Sequence, residues 1–192
     1  MTDKTALPHL QRESAHASTL ALVGFMGAGK TTVGTALAER LGWRFADLDA
    51  LIEKREGRSV PEIFEQDGEP RFRELELKAL RQALVADAKL LVIALGGGAF
   101  ISEPVRELLR DREVPAVWLD APAEELFRRC EQPEVIRPMR RDLQQFARLY
   151  AQRLSSYRQA DLHVITTNKE IRAVAEEIMT QFGLQPESRS AE

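Results

Sequence analysis

The chain carries one cysteine, Cys130, three histidines and two tryptophans in 192 residues. A lone cysteine cannot close an internal disulfide, which excludes a disulfide-stapled extracellular scaffold. His9, His16 and His163 are scattered, so no zinc site suggests itself. Long hydrophobic runs are also missing, and the apolar stretches fall far short of the ~20 residues that a membrane-spanning helix needs. The N-terminus lacks the basic-then-apolar pattern of a secretory signal. Neither charge dominates: 27 Lys and Arg stand against 30 Asp and Glu, for a net charge of −3 and an isoelectric point near 5.8. Basic residues are interspersed with acidic ones, which leaves no electrostatic footprint for nucleic acid. The expectation is a protein of the reducing cytoplasm with neither a membrane nor a nucleic-acid partner. Its length fits one domain, given a prior of about 150 residues per domain.

What the chain does have is glycine in a particular arrangement. Gly24-Phe25-Met26-Gly27-Ala28-Gly29-Lys30-Thr31 fits the phosphate-cradling loop, in which four residues separate two glycines and Lys-Thr follows. Glycines allow backbone N–H groups to turn inward around a phosphate, Lys30 adds a mobile charge, and the Thr31 hydroxyl can ligate Mg²⁺. Thr19 to Val23 is a short apolar run that reads as a buried strand, and Val33, Leu37 and Leu41 recur at helical spacing after the loop. Strand, glycine loop and helix come in the order the motif requires, and a helix N-terminus is itself an anion site.

Strands are expected at about 19–24, 44–47, 90–95, 114–119 and 162–166. Helices are expected near 30–41, 48–56, 59–66, 69–86, 103–111, 122–130, 142–159 and 169–182. Leu90 to Leu95 is continuously apolar, as a strand buried on both faces of a parallel sheet would be. The pattern predicts an α/β sandwich around five parallel strands. Residues 1–18 and 185–192 lack periodicity and read as disordered leader and tail flanking a domain over 19–184.

Several groups fall where ligands bind in such sheets, at the carboxyl ends of strands. Asp47 and Asp49 follow the second strand; one residue apart on an extended chain, both would face the phosphate loop, although Asp49 would equally serve as a helix N-cap. Gly96-Gly97-Gly98-Ala99 follows the third strand, and three glycines imply either a close approach of backbone to ligand or a flexible turn. Arg73 pairs in spacing with Glu76, which a surface ion pair would explain. Arg158 ends an amphipathic helix, where the helix dipole would explain it. Arg137-Pro138 with Arg140 and Arg141 lies in the insert at about 131–142, either a lid that places an arginine on the phosphates or a solvated linker.

Taken in order, the phosphate loop, Asp47-x-Asp49, Phe72-Arg73, Gly96-Gly97-Gly98-Ala99, Arg137-Pro138 and Tyr157-Arg158 make the chain resemble shikimate kinase over about residues 19–182. The resemblance implies a three-layer α/β/α P-loop kinase fold with a mobile lid. It also implies transfer of the ATP γ-phosphoryl group to the 3-hydroxyl of shikimate by a monomer that binds one Mg²⁺. On that basis Gly27, Ala28, Gly29, Lys30, Thr31 and Thr32 would hold the triphosphate, Arg129 would flank adenine and Arg137 would be the lid arginine. Thr31 would ligate Mg²⁺ directly and Asp47 through water. Asp49 would bind and activate the acceptor hydroxyl, Arg73 and Arg158 would pair with its carboxylate, Glu76 would orient the site, and Gly96, Gly97 and Gly98 would contact the ring. Ser155-Ser156 stands where the family commonly has Pro-Leu, and Met139 replaces the usual Leu after Arg-Pro. The alternatives are a related small-molecule kinase of the gluconate type, which the arginines and triple glycine argue against, and a non-catalytic ligand-sensing domain on the same fold.

Overall fold

The computed structural model describes residues 18–85, 90–130 and 143–186. The proposed lid at 131–142, with Arg137, and nearly all of the leader and tail lie outside the described residues.

Five strands, β1 (Thr19–Val23), β2 (Arg44–Asp47), β3 (Leu91–Ala94), β4 (Ala116–Asp120) and β5 (Leu162–Ile165), form one parallel sheet in the order β2-β3-β1-β4-β5. Every residue of β1, β3 and β4 is buried, while the edge strands β2 and β5 are only partly so. Burial on both faces explains why Leu91–Ala94 is continuously apolar and does not alternate. The hydrogen-bonded ladder of β3 starts one residue later than its apolar run because Leu90 has φ 71 and turns the chain. β4 likewise starts at Ala116, since Pro115 has no N–H to give to a ladder.

Helices cover the sheet. α1 (Lys30–Leu41) buries Val33, Leu37 and Leu41 and stops at Gly42, whose φ of 70 suits a left-handed cap. α2 (Leu48–Glu56) begins at Asp47, and α3 (Val60–Val85) breaks at Gly68 (φ 77, ψ 170), just before Pro70. That break falls between the two helices expected at 59–66 and 69–86. A single 3₁₀ turn (Ala99–Ile101) leads to α4 (Glu103–Asp111); then come α5 (Ala123–Cys130), α6 (Leu143–Tyr157) and α7 (Ile171–Gln181). α7 lies beside α1, where Arg40 pairs with Glu176 at 2.9 Å.

The chain leaves β1 toward β2 on one side and β3 toward β4 on the other, so the winding reverses between β1 and β3. A crevice opens at such a reversal outside the carboxyl ends of the strands. The glycine loop after β1 and the triple glycine after β3 both lie there.

Candidate active site

The phosphate loop is held by short-range hydrogen bonds and by close packing. Lys30 Nζ donates to the carbonyls of Gly24 (2.9 Å) and Phe25 (3.0 Å), which bends its ammonium back over the loop. Gly27 has φ 80, and a Cβ there would strike the Leu126 carbonyl of α5, so no other residue fits. Ala28 is buried, Gly29 has φ 85 at the N-cap of α1, and Thr31 and Thr32 are exposed on its first turn.

At the end of β2, the Asp47 carboxylate accepts the Thr31 hydroxyl at 2.9 Å and the N–H groups of Asp49 (3.1 Å) and Ala50 (3.4 Å). Asp47 is therefore the cap of α2, and the reading of Asp49 as the N-cap is corrected: Asp47 is extended (φ −103, ψ 123) and its side chain turns the helix from Leu48 onward. The two acids also do not share an extended chain, because Asp49 already sits in the first turn of α2.

Around the triple glycine the close approach is to protein side chains. A Cβ on Gly96 would come within 2.6 Å of Asp49 Oδ1 and 3.1 Å of Glu76 Oε1, and one on Gly98 would collide with the Arg73 guanidinium. Arg73 donates to Glu76 Oε2 and to Glu69 Oε1, both at 2.9 Å. The Arg73–Glu76 pair is not the surface pair that its spacing suggested, since Glu76 is 1% exposed. Burial pushes the Glu76 carboxyl up to about 7, against the pull of Arg73, and the charge of Asp49 adds to the rise. Glu76 Oε1 is buried and has no hydrogen-bond partner among the described residues.

Arg153, on the inner face of α6, donates to the Gly97 carbonyl at 3.0 Å and lies over the Phe25 ring, 5.3 Å from its centroid. Tyr157 donates to the same carbonyl at 2.5 Å. Arg158 is exposed past the C-terminus of α6 and is not among the residues gathered at the glycines. Arg129 donates to Thr166 Oγ1 (2.9 Å), Glu125 Oε1 (2.5 Å) and, at 3.5 Å, the Gly27 carbonyl, which places it beside the phosphate loop. The crevice thus joins the glycine loop at Gly24–Thr32 to a half with two arginines and two carboxylates at Gly96–Gly98. A family model described as shikimate kinase matches residues 26–182.

The chain belongs to the shikimate kinase family. The shikimate kinase of Geobacter metallireducens is 45% identical over 160 residues, 82% of this chain and 87% of that one. That of Persephonella marina is 39% identical over 159 residues, 82% and 94% of the two chains. The structure of the shikimate kinase of Acinetobacter baumannii in complex with shikimate superposes with a TM-score of 0.78 at 37% identity, over 86% of this chain and 92% of that one. A gluconokinase from Sinorhizobium meliloti superposes with a TM-score of 0.57 at 19% identity, over 90% and 94%, and shows the shared fold alone.

Within this shikimate kinase fold, Arg153 is the residue that reading by motif missed. Its signal was available: Phe146, Tyr150, Arg153 and Tyr157 recur at spacings of three and four, one face of α6, whereas Arg158 falls off that face.

Proposed function

We propose that the chain transfers the γ-phosphoryl group of ATP to the 3-hydroxyl of shikimate, giving shikimate 3-phosphate and ADP. The observation that carries the reading is the convergence of Arg73 and Arg153 on Gly97 and Gly98, beside Asp49 and within reach of the phosphate loop: a Cβ on Gly97 would lie 3.6 Å from Met26 N. Two planar guanidiniums suit an acceptor carboxylate, and Asp49 is the group beside them that can orient and take the proton of an acceptor hydroxyl. In this reading Arg153 takes the role that the resemblance gave to Arg158.

On the donor side, Lys30 and the loop amides of Gly27, Ala28 and Gly29 bind the triphosphate, with Thr32 at its edge and Arg129 toward the adenine. Thr31 and Asp47, a hydroxyl and a carboxylate already in contact, are the hard oxygen donors that Mg²⁺ prefers, and they would hold it together with the phosphates. Mg²⁺ when bound neutralises charge on the transferring phosphoryl group. Among the described residues no cluster of three or more His, Cys, Asp or Glu offers a metal site independent of the nucleotide. Glu76 orients Arg73, and Arg137, outside the described residues, would act on the transferring phosphoryl group. The location we propose is the cytoplasm; among the described residues no helix is long and apolar enough to cross a membrane. A monomeric enzyme completes the proposal.

The test is ADP release with Mg-ATP and, in turn, shikimate, gluconate and nucleoside monophosphates. Turnover is expected with shikimate; efficient turnover of another acceptor and little of shikimate would overturn the reading.

A further inference from the structure

Asp120 closes β4 with a side chain that is 11% exposed and a carboxylate engaged on two sides. Its Oδ1 accepts the Tyr150 hydroxyl of α6 at 2.6 Å, and its Oδ2 lies 3.0 Å from His163 Nε2 of β5. His163 is stacked on Trp118 of β4 with ring centroids 3.9 Å apart, and Trp118 in turn stacks on Tyr157 at 5.9 Å. Of these groups Tyr157 reaches the acceptor half, through its hydrogen bond to the Gly97 carbonyl, and Tyr150 packs on Phe25 of the glycine loop.

We propose that Asp120 and Tyr150 are positioning residues of the acceptor site: the Tyr150 hydroxyl on the Asp120 carboxylate fixes α6 against the sheet and so holds Arg153 on the Gly97 carbonyl. Tyr150 precedes Arg153 by three residues and shares its face of the helix. The rest of that face is apolar packing, with Phe146 and Tyr150 meeting the Phe25 ring edge-on at 4.8 and 5.6 Å. Such packing is not directional and sets how near α6 lies, but not where it stops along its axis. A hydrogen bond is directional and does set that position. Arg153 is thereby fixed on both sides, by Tyr150 on Asp120 one turn before it and by Tyr157 on Gly97 one turn after. Burial and the charge of Asp120 both raise the Tyr150 hydroxyl pKa, so it stays a donor.

The donor half depends on a different part of the same residue. The Asp120 backbone carbonyl accepts Thr166 N (2.8 Å) and Thr166 Oγ1 (3.0 Å), and Thr166 Oγ1 accepts from Arg129. Side-chain substitution leaves that carbonyl in place, so loss of the strut affects the acceptor and spares ATP.

The inference rests on Arg153 binding the acceptor carboxylate, and its test separates the two. Tyr150→Phe keeps the ring on Phe25 and removes one hydroxyl. The shikimate KM is expected to rise about tenfold and the ATP KM to stay within about twofold, the size expected for one lost hydrogen bond to a charged group. Asp120→Asn, which keeps an acceptor for the hydroxyl, is expected to do less than Asp120→Ala. In an Arg153→Ala background Tyr150→Phe is expected to add nothing, because the strut acts through that arginine. Additive effects, or equal rises in both KM values, overturn the strut. If Arg153→Ala raises the shikimate KM selectively and the Tyr150 and Asp120 variants do not, the strut alone is wrong. If Arg153→Ala is itself unselective, the assignment of Arg153 falls and the strut with it. Circular dichroism of each variant separates these results from misfolding, and the Asp120 pair supplies the reading if Tyr150→Phe fails to fold.

Discussion

Asp49 sits one residue inside α2 with its carboxylate against Gly96, close enough that only a glycine can stand there. The carboxylate is thus aimed at the crevice by a helix start that Asp47, not Asp49, caps. If it orients and deprotonates the acceptor hydroxyl, Asp49→Asn keeps the shape and removes the base. Loss of a general base is expected to lower kcat by about 10²- to 10⁴-fold, with ATP affinity by calorimetry unchanged because the phosphate loop is untouched. Unaltered turnover would take Asp49 out of the chemistry. At this scale the sequence made the phosphate loop, the two acids and the triple glycine legible, because backbone geometry admits few residue types there. It did not separate Arg153 from Arg158, since both lie near the end of one helix and charge alone does not say which one faces inward. Nor did spacing show Glu76 as buried, because an i, i+3 pair looks the same on a wet face as on a dry one.

The elements were easier to read than their arrangement. Apolar period and glycine stops marked the strands and helices closely, and the break at Gly68 in α3 was visible as Gly followed by Pro70, one residue free of Cβ and one without an N–H. The order β2-β3-β1-β4-β5 was not legible, because it depends on which apolar faces meet and not on any one segment. The start of α3 shows a local device. Ser59 N and Oγ both donate to Glu62 Oε2, at 2.7 and 2.6 Å, and Ser59 Oγ accepts Glu62 N at 3.4 Å, a reciprocal capping box. α3 carries Arg73 and Glu76, so its start supports the charged groups around Gly96–Gly98 from a distance. Ser59→Ala is expected to lower unfolding free energy by about 0.5–2 kcal/mol in urea titrations, with KM values near those of the unaltered chain. A stability unchanged within error would show that the box contributes nothing.

Across the whole molecule, the reversal of winding between β1 and β3 brings the glycine loop after β1 and the charged groups around Gly96–Gly98 to one crevice, and this arrangement has a cost that stability can report. Glu76 is buried beside Asp49 and Gly96, and its carboxyl is raised from 4.5 to about 7 by desolvation first, with Arg73 opposing. The folded chain therefore holds that proton across a range where the unfolded chain releases it. Stability from this group is fully present below about 4.5 and is lost as pH rises toward 7, an effect on the order of 3 kcal/mol at most. Glu76→Gln cannot titrate, so between pH 4.5 and 7.5 its urea-unfolding free energy is expected to fall less with pH than that of the unaltered chain. Asp49→Asn removes the neighbouring charge that raises Glu76 and is expected to narrow the window from its upper end. If Arg73 holds the acceptor carboxylate as proposed, ionised Glu76 competes for it, so shikimate affinity by calorimetry is expected to weaken as pH passes upward through about 7 and to do so less in Glu76→Gln. Parallel pH profiles for the two chains, in both unfolding and binding, would mean that Glu76 stays ionised in the fold and that the burial argument fails.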